Sequence, residues 1–162
     1  MSARFQSLLI ALAITVYCGW QSRGLLSDWR WSPYSRWSAL DFLIWLVPLA
    51  VECSIIIRAQ LKFEPATFLL WTALAFSLIG SLGELNVLRH IGFALALAGS
   101  IPWKWIRLPW MLAAATWMPA FGYALSKASI SSSTTAMIRL VVVALISGWL
   151  LLSLKRKLPL QT

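Results

Sequence analysis

Glu52 and Cys53 stand side by side inside an apolar run, Val51-Glu52-Cys53-Ser54, and Arg58 follows five residues after the thiol. A nucleophilic cysteine needs a depressed pKa and a base within reach. The one histidine, His90, adjoins Arg89 and lies close to Asn86. Cys53, Arg58, Arg89 and His90 are therefore the candidate catalytic residues. Glu52 has a separate chemistry. A carboxylate among apolar residues is costly and must face a bundle interior, a partner or a water-filled cavity. It fits a proton or cation site, and it fits equally a structural pair with Arg58 or Lys62.

The elements that must position these residues are apolar. Six blocks run over about 5–20, 39–57, 66–83, 85–101, 108–125 and 136–154. Each is near the lower end of the length that spans a hydrocarbon core of about 30 Å. Sixty per cent of the 162 residues are hydrophobic and 12% are charged, about half the charged share of a soluble domain. A soluble domain of this size has no way to hide so much apolar surface. The expected fold is all-α, a polytopic membrane bundle of about six transmembrane helices forming a single domain over 1–162. The first block opens like a signal peptide, but its exit, Val16-Tyr17-Cys18-Gly19-Trp20, is bulky where a cleavage site wants small residues. It reads as a retained helix.

Basic residues in alternate connections give the orientation. One side receives eight (Arg4; Arg58 and Lys62; Lys104 and Arg107; Lys155, Arg156 and Lys157) and the other six (Arg23, Arg30 and Arg36; Arg89; Lys127 and Arg139). The compact cluster at 155–157 strengthens the bias, so both ends are expected on the cytoplasmic side of the inner membrane. Cys53 then lies toward the inner face and His90 toward the outer, most of a membrane apart. Trp20, Trp37, Trp103, Trp105 and Trp110 fall at block ends, where indole rings prefer the headgroup layer. The longest connection, 21–38, carries Trp29, Trp31, Tyr34 and Arg36 together with Asp28, Arg30 and Trp37. It suits a segment lying on the outer membrane surface, or a lid over an outward-facing cleft. Pro109 fits a helix's first turn, whereas Pro48 and Pro119 are expected to kink theirs. The stretch 126–135, rich in Ser and Thr, reads as a short outer loop. At 83–90, Glu84, Arg89 and His90 either cap a helix turn or form an outer polar cluster.

Several classes are disfavoured. The net charge of +9 is scattered between apolar blocks, not gathered in a stripe, which argues against a nucleic-acid partner. Cys18 and Cys53 do not form a disulfide framework or a zinc-ligand spacing. No P-loop, zincin motif or dinucleotide fingerprint is present. No cofactor or metal is expected.

One resemblance rests on particular residues. The run Ile79-Gly80-Ser81-Leu82-Gly83-Glu84-Leu85-Asn86-Val87, then Ala94-Leu95-Ala96-Leu97-Ala98-Gly99, Arg107-Leu108-Pro109 and Pro119, resembles the amino-terminal half of the exosortase/archaeosortase family. The first loop, Trp31-Ser32-Pro33-Tyr34-Ser35, followed by the helix of Trp45, is similar to that family's first outer loop. The resemblance implies a multi-helix membrane protein of a sorting system that cuts and transfers carboxy-terminal signals, linked to surface polysaccharide. It also implies that the half with a Cys-Ser-Gly-type motif and later Arg and His is missing. Aligning Cys53-Ser54 and Arg58 with that motif, and 86–89 with the downstream Arg motif, replaces the Gly by Ile55 and leaves no late His.

The expected function is thus an exosortase-like accessory or degenerate member of a sorting or envelope-assembly system, not a complete enzyme. Its partners would be membrane lipid and a membrane protein or a second copy. The alternatives are a small proton-coupled transporter or carrier subunit using Glu52, and a cysteine transpeptidase or protease using Cys53. On the accessory reading, Cys53→Ala leaves processing intact, and loss of processing in a cell-based assay would favour the enzyme. Abolished proton-coupled uptake in Glu52→Gln would favour the transporter.

Overall fold

The computed structural model describes residues 3–35, 37–58, 64–102 and 104–157. Arg36, Lys62 and Trp103 lie outside the described residues. The described chain is helical, without a strand. Its helices are α1 (Ala3–Gln21), α2 (Gly24–Trp31), α3 (Ser38–Arg58), α4 (Thr67–Leu82), α5 (Asn86–Gly99), α6 (Leu108–Leu112), α7 (Pro119–Lys127) and α8 (Ser132–Lys157). Two 3-10 segments, Trp105–Arg107 and Ala113–Trp117, flank α6.

Two helices are long and apolar enough to cross a membrane: α3, and α8 over Ser132–Leu154. The 21 residues of α3 rise about 31 Å at 1.5 Å per residue. A third candidate exists only if Gln6–Gln21 of α1 and α2, bent by 44° at their junction, count as one span. The other blocks fall short for identifiable reasons. α4 is apolar but has 16 residues, and α5 has 14 and opens with Asn86, Arg89 and His90. The block expected over 108–125 is not one helix. Pro119 has no N–H to return to the preceding turn, and Met118 is extended (φ −76°, ψ 136°), so the chain breaks between Trp117 and α7. Pro109 sits in the first turn of α6, whereas Pro48 is accommodated inside an unbroken α3.

Other boundaries move as well. The connection 21–38 contains a helix, α2. The loop expected over 126–135 shrinks to 128–131, because Ser131 caps α8: its Oγ accepts the Thr134 N–H at 3.2 Å.

Polarity is distributed the opposite way from a soluble protein. Leu12, Val47 and Leu145 are 58, 44 and 69% exposed, whereas Arg107, Arg139 and Asp41 are at most 1% exposed. On α3 the inward stripe is Ser38, Asp41, Trp45, Pro48, Glu52 and Ile56, at steps of three and four residues. On α8, Thr135, Arg139, Val143 and Ser147 form the matching stripe at steps of four. Arg139 meets Ser38 and Asp41, so α3 and α8 begin at the same end and run side by side. The broken segment 105–117 runs the other way along α3: Arg107 meets Glu52, Trp110 meets Trp45, and Thr116 meets Arg139.

α4 and α5 form a tight antiparallel hairpin. Its turn needs a left-handed residue, and Glu84 takes it at φ 55°. The far end closes where the Ala66 N–H donates to Gly99 O at 2.8 Å. Small residues let the two backbones approach. A Cβ on Gly92 would collide with Ser77 Oγ and come within 2.8 Å of Ala73 O. α1 packs on this pair through Ala11, Ile14 and Cys18.

Gly92→Ala therefore overpacks the hairpin and should destabilise the protein by about 1–3 kcal/mol. Gly148, on α8, has nothing within 4 Å of an added Cβ. Gly148→Ala should be neutral or stabilising by a few tenths of a kcal/mol. Thermal unfolding of the two variants in detergent checks the contrast.

Candidate functional site

The buried face of α3 carries one carboxylate near each end. Asp41 and Glu52 are eleven residues apart, three helical turns, and about 16 Å along the axis. Each meets an arginine from elsewhere in the chain.

At the Asp41 end, the Arg139 guanidinium places Nε 3.3 Å from Asp41 Oδ2. It also donates through Nε to Thr116 O, through Nη1 to Tyr34 O and through Nη2 to Ser38 Oγ. The Thr116 carbonyl is available because the helix breaks just after it. The next carbonyl, Trp117 O, accepts the Trp29 indole N–H at 3.0 Å. Side chains thus replace the backbone donors that Pro119 takes away. Gly122 makes room, since a Cβ there would lie 2.9 Å from Tyr34 O and 3.2 Å from Arg139 Nη1.

At the Glu52 end, Arg107 Nη2 pairs with Glu52 Oε1, and Lys104 Nζ stands 3.8 Å from the same oxygen. The Arg107 side chain is 1% exposed and that of Lys104 56%, so the cluster reaches solvent only through the lysine. Arg107 Nε and Nη1 have no hydrogen-bond partner among the described residues.

Between the two ion pairs sits an aromatic block. Trp45 and Trp110 stack with centroids 4.5 Å apart and planes 5° from parallel. Each indole N–H donates to the other residue's carbonyl, at 2.7 and 2.8 Å. Trp117 packs edge-on against Phe42, Trp45, Trp29 and Phe93. Such pairs contribute about 0.5–1.5 kcal/mol each beyond their area. The block fills the space between Asp41 and Glu52 with rings.

The structure groups the residues singled out by sequence in an unexpected way. Glu52 pairs with Arg107, not with Arg58. Six residues of helix rotate Arg58 about 240° away from Glu52, and it is exposed. Lys62 lies outside the described residues. Cys53 is half-buried beside Glu52 and Arg107. Arg89 caps α4: Nε donates to Gly80 O at 3.1 Å, Nη2 to Ser81 O at 3.4 Å and Nη1 to Asn86 Oδ1 at 3.3 Å. His90 is buried on α5 with Arg89 as its charged neighbour, whereas the charged neighbours of Cys53 are Glu52 and Arg107. In the 21–38 connection, Trp29 packs inward on Phe42 and Tyr34 contributes its carbonyl, while Trp31 is 74% exposed. Arg36 is outside the described residues. Trp20, Trp37 and Trp105 are exposed, as interfacial rings would be, but Trp110 is fully buried in the stack. Among the described residues, no three of His, Cys, Asp and Glu come together as metal ligands.

Sequence reasoning missed the Asp41–Arg139 pair and the two partners of Glu52 because it counts Lys104, Arg107 and Arg139 as loop charges. Arg107 and Arg139 lie inside the bundle. Removing them leaves seven basic residues against five, the same difference. The available signal was Asp41 and Arg139 each lying inside an apolar block, where charges require partners.

No family model matches the chain, and neither a curated protein nor a solved structure matches it significantly.

Arg139→Met leaves Asp41 buried and unpaired, and should cost about 3–5 kcal/mol. Asp41→Asn combined with Arg139→Met should recover a substantial part of that loss. Chemical denaturation of the single and double variants in detergent measures the coupling.

Proposed function

We propose that the chain is an integral membrane bundle whose role is to hold a hydrophobic segment of a membrane partner, as an exosortase-like accessory protein of an envelope or sorting system. In this reading the chain crosses the inner membrane about six times with both ends cytoplasmic. Support comes from the exposed apolar faces of α1, α3, α4 and α8 and from the sequestered charges. α4, α5 and the broken segment would complete the crossings by packing against the two longest helices. The placement of Lys104 at the Glu52 end and Arg30 toward the Asp41 end agrees with the charge tally.

One observation carries the accessory role. An apolar groove of about 420 Å³ opens between α5 and the broken segment. Val87, Ile91 and Leu95 form one wall, Met111, Ala115 and Phe121 the other. Alanines at 94, 114, 115 and 120 keep it shallow enough for the backbone of a second helix to approach. It contains no charged or nucleophilic lining residue. The chemistry it offers is van der Waals packing.

The transport reading has one observation in its favour, the buried position of Glu52. Arg107 and Lys104 compensate that carboxylate, which favours a standing ion pair over a group that exchanges protons each cycle. Cys53 has Glu52 and Arg107 beside it and no imidazole, so the cysteine-enzyme reading has less support.

A photoreactive side chain at Ala115 should crosslink in intact membranes to one defined protein, and Ala120→Trp, which fills the groove from a partly exposed position, should abolish that adduct. The same probe at Leu12, on the outer face of α1, should give lipid adducts alone. Lipid adducts at both positions would contradict the accessory role. Proton flux into proteoliposomes that disappears in Glu52→Gln would replace it with transport.

A further inference from the structure

A polar cleft of about 520 Å³ lies where the α2–α3 connection meets the start of α8. Arg30, Trp31, Trp37, Ser132 and Ser133 line it. Arg30 lies over the Trp31 ring at 5.1 Å and has no acidic partner among the described residues. A second depression, about 290 Å³, continues from it along the outer surface. Leu40 of α3 and Ala136, Met137 and Leu140 of α8 line this furrow. Trp37 and Ser133 belong to both. The two depressions thus join end to end, one polar and cationic, the other apolar.

The furrow also lies between the two helices that are long and apolar enough to cross a membrane. Trp37, 56% exposed, sits at the level where the polar cleft gives way to the apolar furrow, and Trp31, 74% exposed, lines the polar side. Indole rings prefer that level in a bilayer. The molecule that fits a cation at one end and an apolar channel at the other is an amphiphile.

We propose that the cleft and furrow together bind one membrane lipid with an anionic phosphate headgroup. Arg30 and the hydroxyls of Ser132 and Ser133 take the phosphate, and an acyl chain lies along Leu40, Ala136, Met137 and Leu140. Arg30 provides a charge-assisted donor, and the start of α8 adds backbone N–H groups without intrahelical acceptors. The chain is held by dispersion contacts and by the fit of Ala136, the smallest residue on the furrow floor. This inference is independent of the groove between α5 and the broken segment.

The test uses the full chain purified in detergent micelles and titrated with phosphatidylglycerol carrying brominated acyl chains, read by quenching of tryptophan fluorescence. A saturable component is expected, and Trp37→Phe should reduce it. Arg30→Gln, which removes the cation, and Ala136→Phe, which fills the furrow, should each weaken binding by about tenfold, the loss expected for one charge-assisted contact or one blocked chain site. Melting curves of both variants establish that they are folded. Glycerol phosphate, a headgroup without a chain, should displace the lipid poorly. Titrations of Arg30→Gln and Ala136→Phe that overlay the wild type would overturn the proposal. Displacement by glycerol phosphate as effective as by unbrominated lipid would overturn it too, since the furrow would then contribute nothing.

Discussion

A guanidinium withdrawn from water carries five N–H donors in search of acceptors, and each of the three nitrogens of Arg139 finds one inside the helix bundle. It holds Asp41 and Ser38 of α3, Thr116 at the helix break and Tyr34 in the first long connection. Few other residues in a chain of this composition have the reach and the donor count to do so. The break before Pro119 exposes carbonyls that an apolar environment does not solvate, and Arg139 and Trp29 occupy two of them. Arg139 thereby ties the broken segment to the start of α3, beside the Trp29 contact to Trp117 O. The Trp45–Trp110 stack and the Glu52–Arg107 pair continue the same alignment toward the other end of α3.

α3 is the axis of this arrangement. Its one face carries Asp41, Trp45, Pro48 and Glu52, and each meets a partner from the second half of the chain or the packing around it. The opposite face, with Leu43, Val47 and Val51, is exposed. A helix built this way gains little from water-driven burial of its outer face. Polar pairing and ring packing hold its inner face, a pattern that suits helix association where the surroundings are as apolar as the side chains. The small-residue hairpin of α4 and α5, joined by α1, forms a second unit packed by close backbone approach.

Much of the helical skeleton is legible in the sequence. Apolar blocks at 39–57 and 66–83 match α3 and α4 to within a residue at each end, because a continuous apolar run flanked by polar residues leaves little freedom for a helix boundary. The break within 108–125 is legible only in part. Pro119 announces a kink, but the 3-10 turns of Ala113–Trp117 depend on Arg139 and Trp29, which are remote in sequence. Glu52 stands out as a buried charge from composition alone. Its partner does not, since Arg107 looks like a helix-end cation until the chain folds back along α3. Arg89 shows the same ambiguity resolved differently: beside His90 and Asn86 it resembles a functional cluster, yet it caps the carbonyls of Gly80 and Ser81.

The central claim is that the Asp41 and Glu52 ends of α3 lie at opposite faces of one membrane. Site-specific labelling with a membrane-impermeant maleimide tests it most directly, in a Cys18→Ala, Cys53→Ser background carrying one cysteine at Ser129 or at Glu64. Ser129 lies just before α8, at the Asp41 end, and Glu64 just before α4, on the side of the Glu52 end. The account predicts that the Ser129 cysteine labels in intact cells and that the Glu64 cysteine labels only after the membrane is opened. Labelling of both from the same side, or of both without regard to membrane integrity, would contradict it.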